Sequence, residues 1–300
     1  MNISRLKVGW SASFALLSVV SLLAQAPGVK IVRDRGEELA ALGEKASELR
    51  LAGKLLSAEV LKEQLARTSC VLTLPKPATK KLTDRQIWQR SRESHVRLGW
   101  HYLCSKCDKW HLNLAGGCYI TADGVIATCF HVVKPSADHR EAYLVAADEA
   151  GNLLPVTELL AGNALADTAI VRAQVASSVK PLALNTNVYP GDGAWCYSDP
   201  LGRSSYFSKG MVNRFYFQEG KERAGPRIEV STDWAPGSSG AAVVDECANV
   251  IGFVSAIQPA GSSRSRSTNQ PSATASSMIV FHCASRAADV IALVQASKQR

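Results

Sequence analysis

From His95 onward the hydrophobic pattern repeats every second residue, and this excludes most architectures open to a chain of 300 residues. Val96, Leu98, Trp100 and Tyr102 alternate with polar or small residues, as on a strand with one buried face. Short stretches of the same kind, broken by Gly, Pro, Asn and Asp, continue to about Phe281. That is the rhythm of a mostly β barrel or sandwich. Ahead of it the pattern is helical. Leu39, Leu42, Ala46, Leu49 and Leu56 fall at spacings of mostly three and four. Gly53 interrupts the run and Ser57 suits a new helix start, so Asp34–Leu65 predicts two short helices in a hairpin. The hairpin either packs on the main domain or serves as a stalk or partner-binding element. Pro75 and Pro77 with Lys76, Lys80 and Lys81 read as a linker, and Thr83 or Asp84 caps a further helix through Arg92. Gly261–Ser277 is Ser-rich and reads as a loop, and Ala287–Ala296 as a closing amphipathic helix. No internal repeat is present.

Charge narrows the partners. The formal net charge is +8, but 15 basic and nine acidic residues lie between Lys30 and Trp100, whereas His101–Arg300 carries 17 of each. The β-rich part therefore lacks the basic excess of a nucleic-acid-binding domain, and nucleic acid is not an expected partner. At the N-terminus Arg5 and Lys7 precede an apolar run from Val8 to Ala24, and Ala24-Gln25-Ala26 has the small-x-small pattern of a cleavage site. Residues 1–26 read as an export signal. Pro27 disfavours cleavage, so the alternative is a membrane anchor through residues 8–24, whose length is close to the lower limit for spanning. Either way the expected location is periplasmic or secreted.

Three separated motifs carry chemistry. Gly117 to Val133 reads as a β-hairpin turning at Asp123-Gly124, with His131 at the end of the second strand. Asp167 leads into the alternating strand Thr168–Val171. Pro236-Gly237-Ser238-Ser239-Gly240 is followed by apolar strands at Ala241–Val244 and Val250–Val254. Together they resemble the trypsin-like serine peptidases, especially the bacterial HtrA-type branch. There a hairpin ends in Thr-x-x-His-Val-Val, an Asp-x-Ala strand follows, and Pro-Gly-x-Ser-Gly carries the nucleophile. Pro190-Gly191-Asp192 and the turn Ser198–Gly202 resemble further family features, and the likeness spans roughly Ser94 to Val294.

The resemblance implies two six-stranded antiparallel β-barrels, here with an N-terminal helical region and a C-terminal helix. Residues 27–93 would form the helical hairpin and linker, and 94–300 the peptidase domain. His131, Asp167 and Ser239 would be the catalytic triad. A serine hydroxyl becomes a nucleophile at neutral pH when an imidazole takes its proton, and the imidazole needs a carboxylate on its other nitrogen. The order His, Asp, Ser is that of the chymotrypsin-like barrels. The N–H groups of Gly237 and Ser239 would form the oxyanion hole, each contributing roughly 3 kcal/mol to transition-state stabilisation. Ser238 is the rival nucleophile, but the family places the nucleophile directly before glycine. Asp138 and Asp148 are weaker rivals to Asp167, since neither opens such a strand.

The chain departs from the family at Ala241-Ala242, where Gly-Pro is usual, and at Cys129-Phe130, where a polar pair is usual. No PDZ-like segment is expected after the barrel. Asp233, six residues before Ser239, is a specificity-pocket candidate: a buried carboxylate there would favour Arg or Lys substrates. Its alternative is a structural role in an HtrA-like loop, with Trp234 filling space beside it and a preference for small aliphatic residues.

Eight cysteines, at 70, 104, 107, 118, 129, 196, 247 and 283, permit disulfides in an exported chain. Cys118 and Cys129 lie almost symmetrically about the Asp123-Gly124 turn and are expected to face each other. Cys104-Ser105-Lys106-Cys107, flanked by His101 and His111, offers four ligands for a structural zinc, although a disulfide or free thiols remain open. The function expected is an exported serine endopeptidase acting on protein or peptide substrates, with no cofactor in the chemistry. Its rivals are a catalytically silent binding scaffold on the same fold and a structural metal protein centred on the Cys-x-x-Cys segment. The oligomeric state is not legible.

Overall fold

The computed structural model describes residues 36–261 and 277–296. The segment 1–26 and nearly all of the Ser-rich loop lie outside these residues. In chain order the elements are α1 (Gly36–Leu51), α2 (Ala58–Gln64), β1 (Cys70–Leu72), α3 (Asp84–Ser94), β2 (His95–Cys104), β3 (Trp110–Tyr119), β4 (Val125–Thr128), α4 (Phe130–Val133), β5 (His139–Ala147), β6 (Leu153–Asn163) and β7 (Thr168–Ala173). Then come β8 (Gly193–Ser198), β9 (Tyr206–Gln218), β10 (Gly225–Val230), β11 (Ala242–Val244), β12 (Val250–Gly261), β13 (Ser277–Arg286), α5 (Ala287–Ile291) and β14 (Val294–Ala296). Two closed antiparallel barrels of six strands result, ordered β2-β3-β4-β7-β6-β5 and β10-β13-β12-β11-β8-β9. Closure leaves neither barrel an edge for unwanted pairing.

The first barrel is more deeply covered than its alternating pattern predicts. Strand β2 is buried on both faces from His95 to His101, because α1 lies over its outer side. Leu42 and Ala46 of α1 are buried, and Leu42 packs with Leu114, Val145 and Ala147. The polar residues of that outer face are therefore interior. Arg97 donates to Glu38 at 2.9 Å, and His101 sits 3.3 Å from the Ser47 hydroxyl and stacks on Trp110. Helix α2 starts at the Ser57 cap and adds Ala58 and Leu61 to the barrel core, while α3 starts at a Thr83–Gln86 capping box and buries Ile87.

Several local expectations are corrected. His131 lies not at the end of a strand but on α4, a single turn that follows β4. Cys118 pairs across the hairpin with Ala127 rather than Cys129, which has left the sheet to precede α4. Both are buried free thiols, and Cys129 Sγ lies 3.2 Å from the carbonyl of Val254 in the other barrel. The closing helix ends at Ile291. Its expected last residues instead form β14, which pairs in parallel with β1 and ties the chain end to the N-terminal region. The Pro-Lys segment is strapped to the second barrel: Ala78 exchanges hydrogen bonds with Asn249, and Leu82 N–H donates to Glu246 O at 2.9 Å.

Burial, followed by the nearby Arg50 charge, pulls the His101 imidazole down to about 4. A depressed histidine pKa means that the unfolded chain binds more protons between the two values, so stability falls as pH drops from about 6.5 towards about 4. The contribution is on the order of 1–2 kcal/mol after allowing for screening by solvent and polar neighbours. Urea unfolding across this range should show that loss in the wild type and a flatter profile in His101→Phe, which keeps the stacking on Trp110.

Candidate active site

The carboxylate of Asp167 gathers donors from both barrels. Asp167 precedes β7 at a left-handed φ of 56°, a conformation that aspartate tolerates, and is 1% exposed. Its carboxylate oxygens lie 2.9 and 3.0 Å from His131 Nδ1, and one accepts the backbone N–H of His131 at 3.1 Å. One side chain thus caps the α4 turn and orients the imidazole it carries. From the second barrel, Ser255 Oγ donates to Asp167 at 2.5 Å and Arg223 reaches it at 3.4 Å. Burial alone would push the Asp167 carboxyl up, but the hydrogen bond and charge of His131 and the Ser255 hydroxyl hold it below its ordinary value. It is therefore charged at neutral pH and keeps a proton on His131 Nδ1, while the ring remains about one-third exposed.

The Pro236–Gly240 loop docks beside α4. The carbonyl of Ser239 accepts from Gly116 N–H of β3 at 2.7 Å, and Gly240 N–H donates to Val254 O at 2.7 Å. Gly240 has φ of +80°, and a Cβ there would stand 2.1 Å from Thr128 Oγ1 and 2.3 Å from Gly116 O. Only glycine lets the loop sit this close to the strand that leads to His131. Gly237, at φ +102°, similarly abuts the carbonyl of Asp199, and Leu201 N–H donates to Pro236 O at 2.7 Å. Ser238 N–H is taken by Ala235 O at 3.1 Å. Among the described residues the N–H groups of Gly237 and Ser239 make no hydrogen bond. Ser239 is partly exposed, whereas Ser238 is fully buried and its hydroxyl finds no partner among the described residues.

The remaining candidates fall elsewhere. Asp138 is ion-paired with Lys106, and Asp148 organises the β5–β6 turn through Ala150 and Asn152 N–H. Asp233 has an exposed side chain and uses its carbonyl to accept from Ser208 Oγ at 2.9 Å, so it does not form the buried carboxylate that the basic-pocket alternative requires. The neighbouring Trp234 is buried instead, its indole donating to Ala256 O at 3.2 Å and meeting His282 edge-on. Cys104, Cys107 and His111 cluster at the β2–β3 turn, but His101 is excluded by its burial under α1.

Reading the sequence missed three residues that shape this site. Ser255 and Arg223 complete the Asp167 shell from the second barrel. Asp199 walls the Pro236–Gly240 loop and is buried against His95 at 3.4 Å, linking that wall to β2. Ser255 left a signal, a lone hydroxyl ending the apolar run Val250–Val254. Asp199 lies in the Ser198–Gly202 turn that the resemblance marks, but its pairing with His95, 104 residues away, left no signal, and neither did Arg223, whose partner is 56 residues away.

The glycine geometry makes a graded prediction. Gly240→Ala should cost about 3 kcal/mol or more, from left-handed strain plus backbone displacement. Gly191→Ala, also at positive φ but with nothing within 4 Å, should cost only about 1 kcal/mol. Urea denaturation of the two variants measures the difference; equal costs would contradict the docking of the loop.

Residues 115–253 match the family described as the trypsin-like peptidase domain, a span that runs from β3 to β12 and contains His131, Asp167 and Ser239. No curated protein matches the chain. With two closed six-stranded barrels and this match, the chain has the trypsin-like peptidase fold.

Proposed function

We propose that this chain is an exported serine endopeptidase of the HtrA-like branch, using His131, Asp167 and Ser239 as its triad. A peptidase domain acts on protein or peptide substrates. The observation that carries the serine reading is the His131–Asp167 pair at 2.9 Å, buried on the carboxylate side and open on the other, next to a glycine-enabled loop bearing Ser239.

The proposed reaction follows from these positions. Ser239 Oγ attacks the substrate carbonyl as His131 Nε2 takes its proton. Asp167 stabilises the imidazolium without itself being protonated. The uncommitted N–H groups of Gly237 and Ser239 receive the oxyanion, at roughly 3 kcal/mol each. Collapse expels the amine, which takes the proton from His131 and leaves an acyl-enzyme. Water, deprotonated by His131, then releases the acid and restores Ser239. Every step uses the chain's own side chains and backbone.

Trp234 bears on specificity. Its indole is buried and donates to Ala256 O, whereas the neighbouring Asp233 is exposed and offers no buried carboxylate to a basic side chain. This supports a preference for small aliphatic residues over Arg or Lys. Export rests on Arg5, Lys7, the Val8–Ala24 run and Ala24-Gln25-Ala26, with retention as a membrane anchor as the alternative fate of that segment.

A fluorophosphonate probe tests the reading against a silent scaffold. The wild type and Ser238→Ala should label, with the modified peptide mapping to Ser239. Ser239→Ala should lose labelling and several orders of magnitude of hydrolysis while its unfolding midpoint stays unchanged. Label on Ser238, or hydrolysis persisting in Ser239→Ala, would discard the assignment. In a peptide-library digest, cleavage after Val, Ala or Ile should be unchanged by Asp233→Asn; a wild-type preference for Arg lost in that variant would restore the basic pocket.

A further inference from the structure

The turn between β2 and β3 holds a group of side chains for which peptide hydrolysis has no use. Cys104 ends β2 and Cys107 follows three residues later. Asp108 takes a left-handed φ of 53°, which lets its N–H reach back to Cys104 O at 3.1 Å while Cys104 N–H donates to Lys109 O at 2.9 Å. This tight loop brings both sulfur atoms into one group with His111 and aims the Lys106 N–H at Cys104 Sγ, 3.4 Å away. His111, on β3, places Nε2 3.0 Å from Cys107 Sγ. The two sulfur atoms and the imidazole nitrogen all lie within 4.8 Å of one another.

Those dimensions can be set against a metal's needs. With Zn–S of about 2.3 Å and Zn–N of about 2.0–2.1 Å, a tetrahedral ion holds sulfur atoms about 3.8 Å apart and sulfur and nitrogen about 3.5 Å apart. The separations here, at most 4.8 Å, would have to change by no more than about 1.3 Å, which side-chain rotation supplies. The backbone is already braced, because Ser105 N–H donates to Asp138 O at 3.0 Å and Lys106 pairs with the Asp138 carboxylate at 2.7 Å. Two thiolates and a neutral imidazole balance the charge of a divalent ion and form a donor set suited to zinc rather than to magnesium or calcium.

We propose that Cys104, Cys107 and His111 bind one Zn2+ ion per chain, with the fourth coordination position open to solvent. Cys107 and His111 are both exposed, so the ion has direct access. The site closes the free end of the β2–β3 hairpin. That hairpin carries Gly116, whose N–H holds the Ser239 carbonyl. The proposal is independent of the peptidase reading, and either can fail alone.

Cobalt titration of the full chain, purified with a thiol reductant and freed of metal by a chelator, tests it. One equivalent of Co2+ should produce a sulfur-to-cobalt charge-transfer band with the visible absorption of a tetrahedral ion, and Zn2+ should displace it. Cys107→Ser and His111→Ala should each weaken binding at least about 100-fold, whereas Cys247→Ser, outside the cluster, should leave it unchanged. Metal should also raise the unfolding temperature of the wild type but not of Cys107→Ser, while fluorophosphonate labelling persists in both. Absence of the charge-transfer band, its survival in Cys107→Ser, or a Cys104–Cys107 disulfide in protein isolated without reductant would overturn the site.

Discussion

The carboxylate of Asp167 is the point on which the two barrels converge. It accepts from the backbone and ring of His131 in the first barrel and from Ser255 and Arg223 in the second. A charge this deeply buried is costly unless its lone pairs are satisfied, and four contacts from three segments meet that need. The same contacts serve the proposed mechanism. A carboxylate that must remain charged holds a proton on Nδ1 and leaves Nε2 as the basic face of the ring. The carbonyl of Asp167 is also occupied, accepting from Ser285 Oγ at 3.1 Å, so the whole residue is immobilised from the second barrel.

The Pro236–Gly240 loop depends on a second constraint, close backbone approach. Gly237 and Gly240 adopt conformations closed to other residues and sit against Asp199 and Thr128. Those neighbours are themselves held: Thr128 Oγ1 donates to Gly116 O at 2.8 Å, and Asp199 binds His95 and the Ser205 N–H. Each wall of the loop is therefore fastened to a barrel strand. Preorganised donors are effective in catalysis because they need not reorient as charge develops. The uncommitted N–H groups of Gly237 and Ser239 stand in such a frame.

Much of this was legible in the sequence wherever local pattern and chemistry coincide. Period-two alternation and turn residues predict a β barrel or sandwich, the family resemblance narrows this to two six-stranded barrels, and the glycine spacing marks the loop. His131 and Asp167 were identified from their motifs, and their side chains meet. What was not legible depends on covering and register. Nothing in β2 itself announces that α1 will bury its outer face, so His101 resembled a metal ligand until Ser47, Trp110 and Arg50 closed over it. The symmetry of Cys118 and Cys129 was misleading because the chain leaves the sheet after Thr128 to form a helical turn. The pairing of Cys70–Leu72 with Val294–Ala296 joins three-residue strands more than 200 residues apart, too short for any periodicity to show. Of the two readings of Asp233, the buried acid is the one not met, because its neighbour Trp234 takes the interior position.

If Asp167 holds the system together, its effect on the His131 ring is the most direct thing to measure. Protein labelled with 15N in its histidine rings, studied at neutral pH by NMR, reports which ring nitrogen carries the proton. The account predicts that His131 is protonated at Nδ1 with Nε2 free, and that Asp167→Asn abolishes this preference. A His131 ring protonated at Nε2 in the wild type, or one whose tautomer is unaffected by Asp167→Asn, would contradict it.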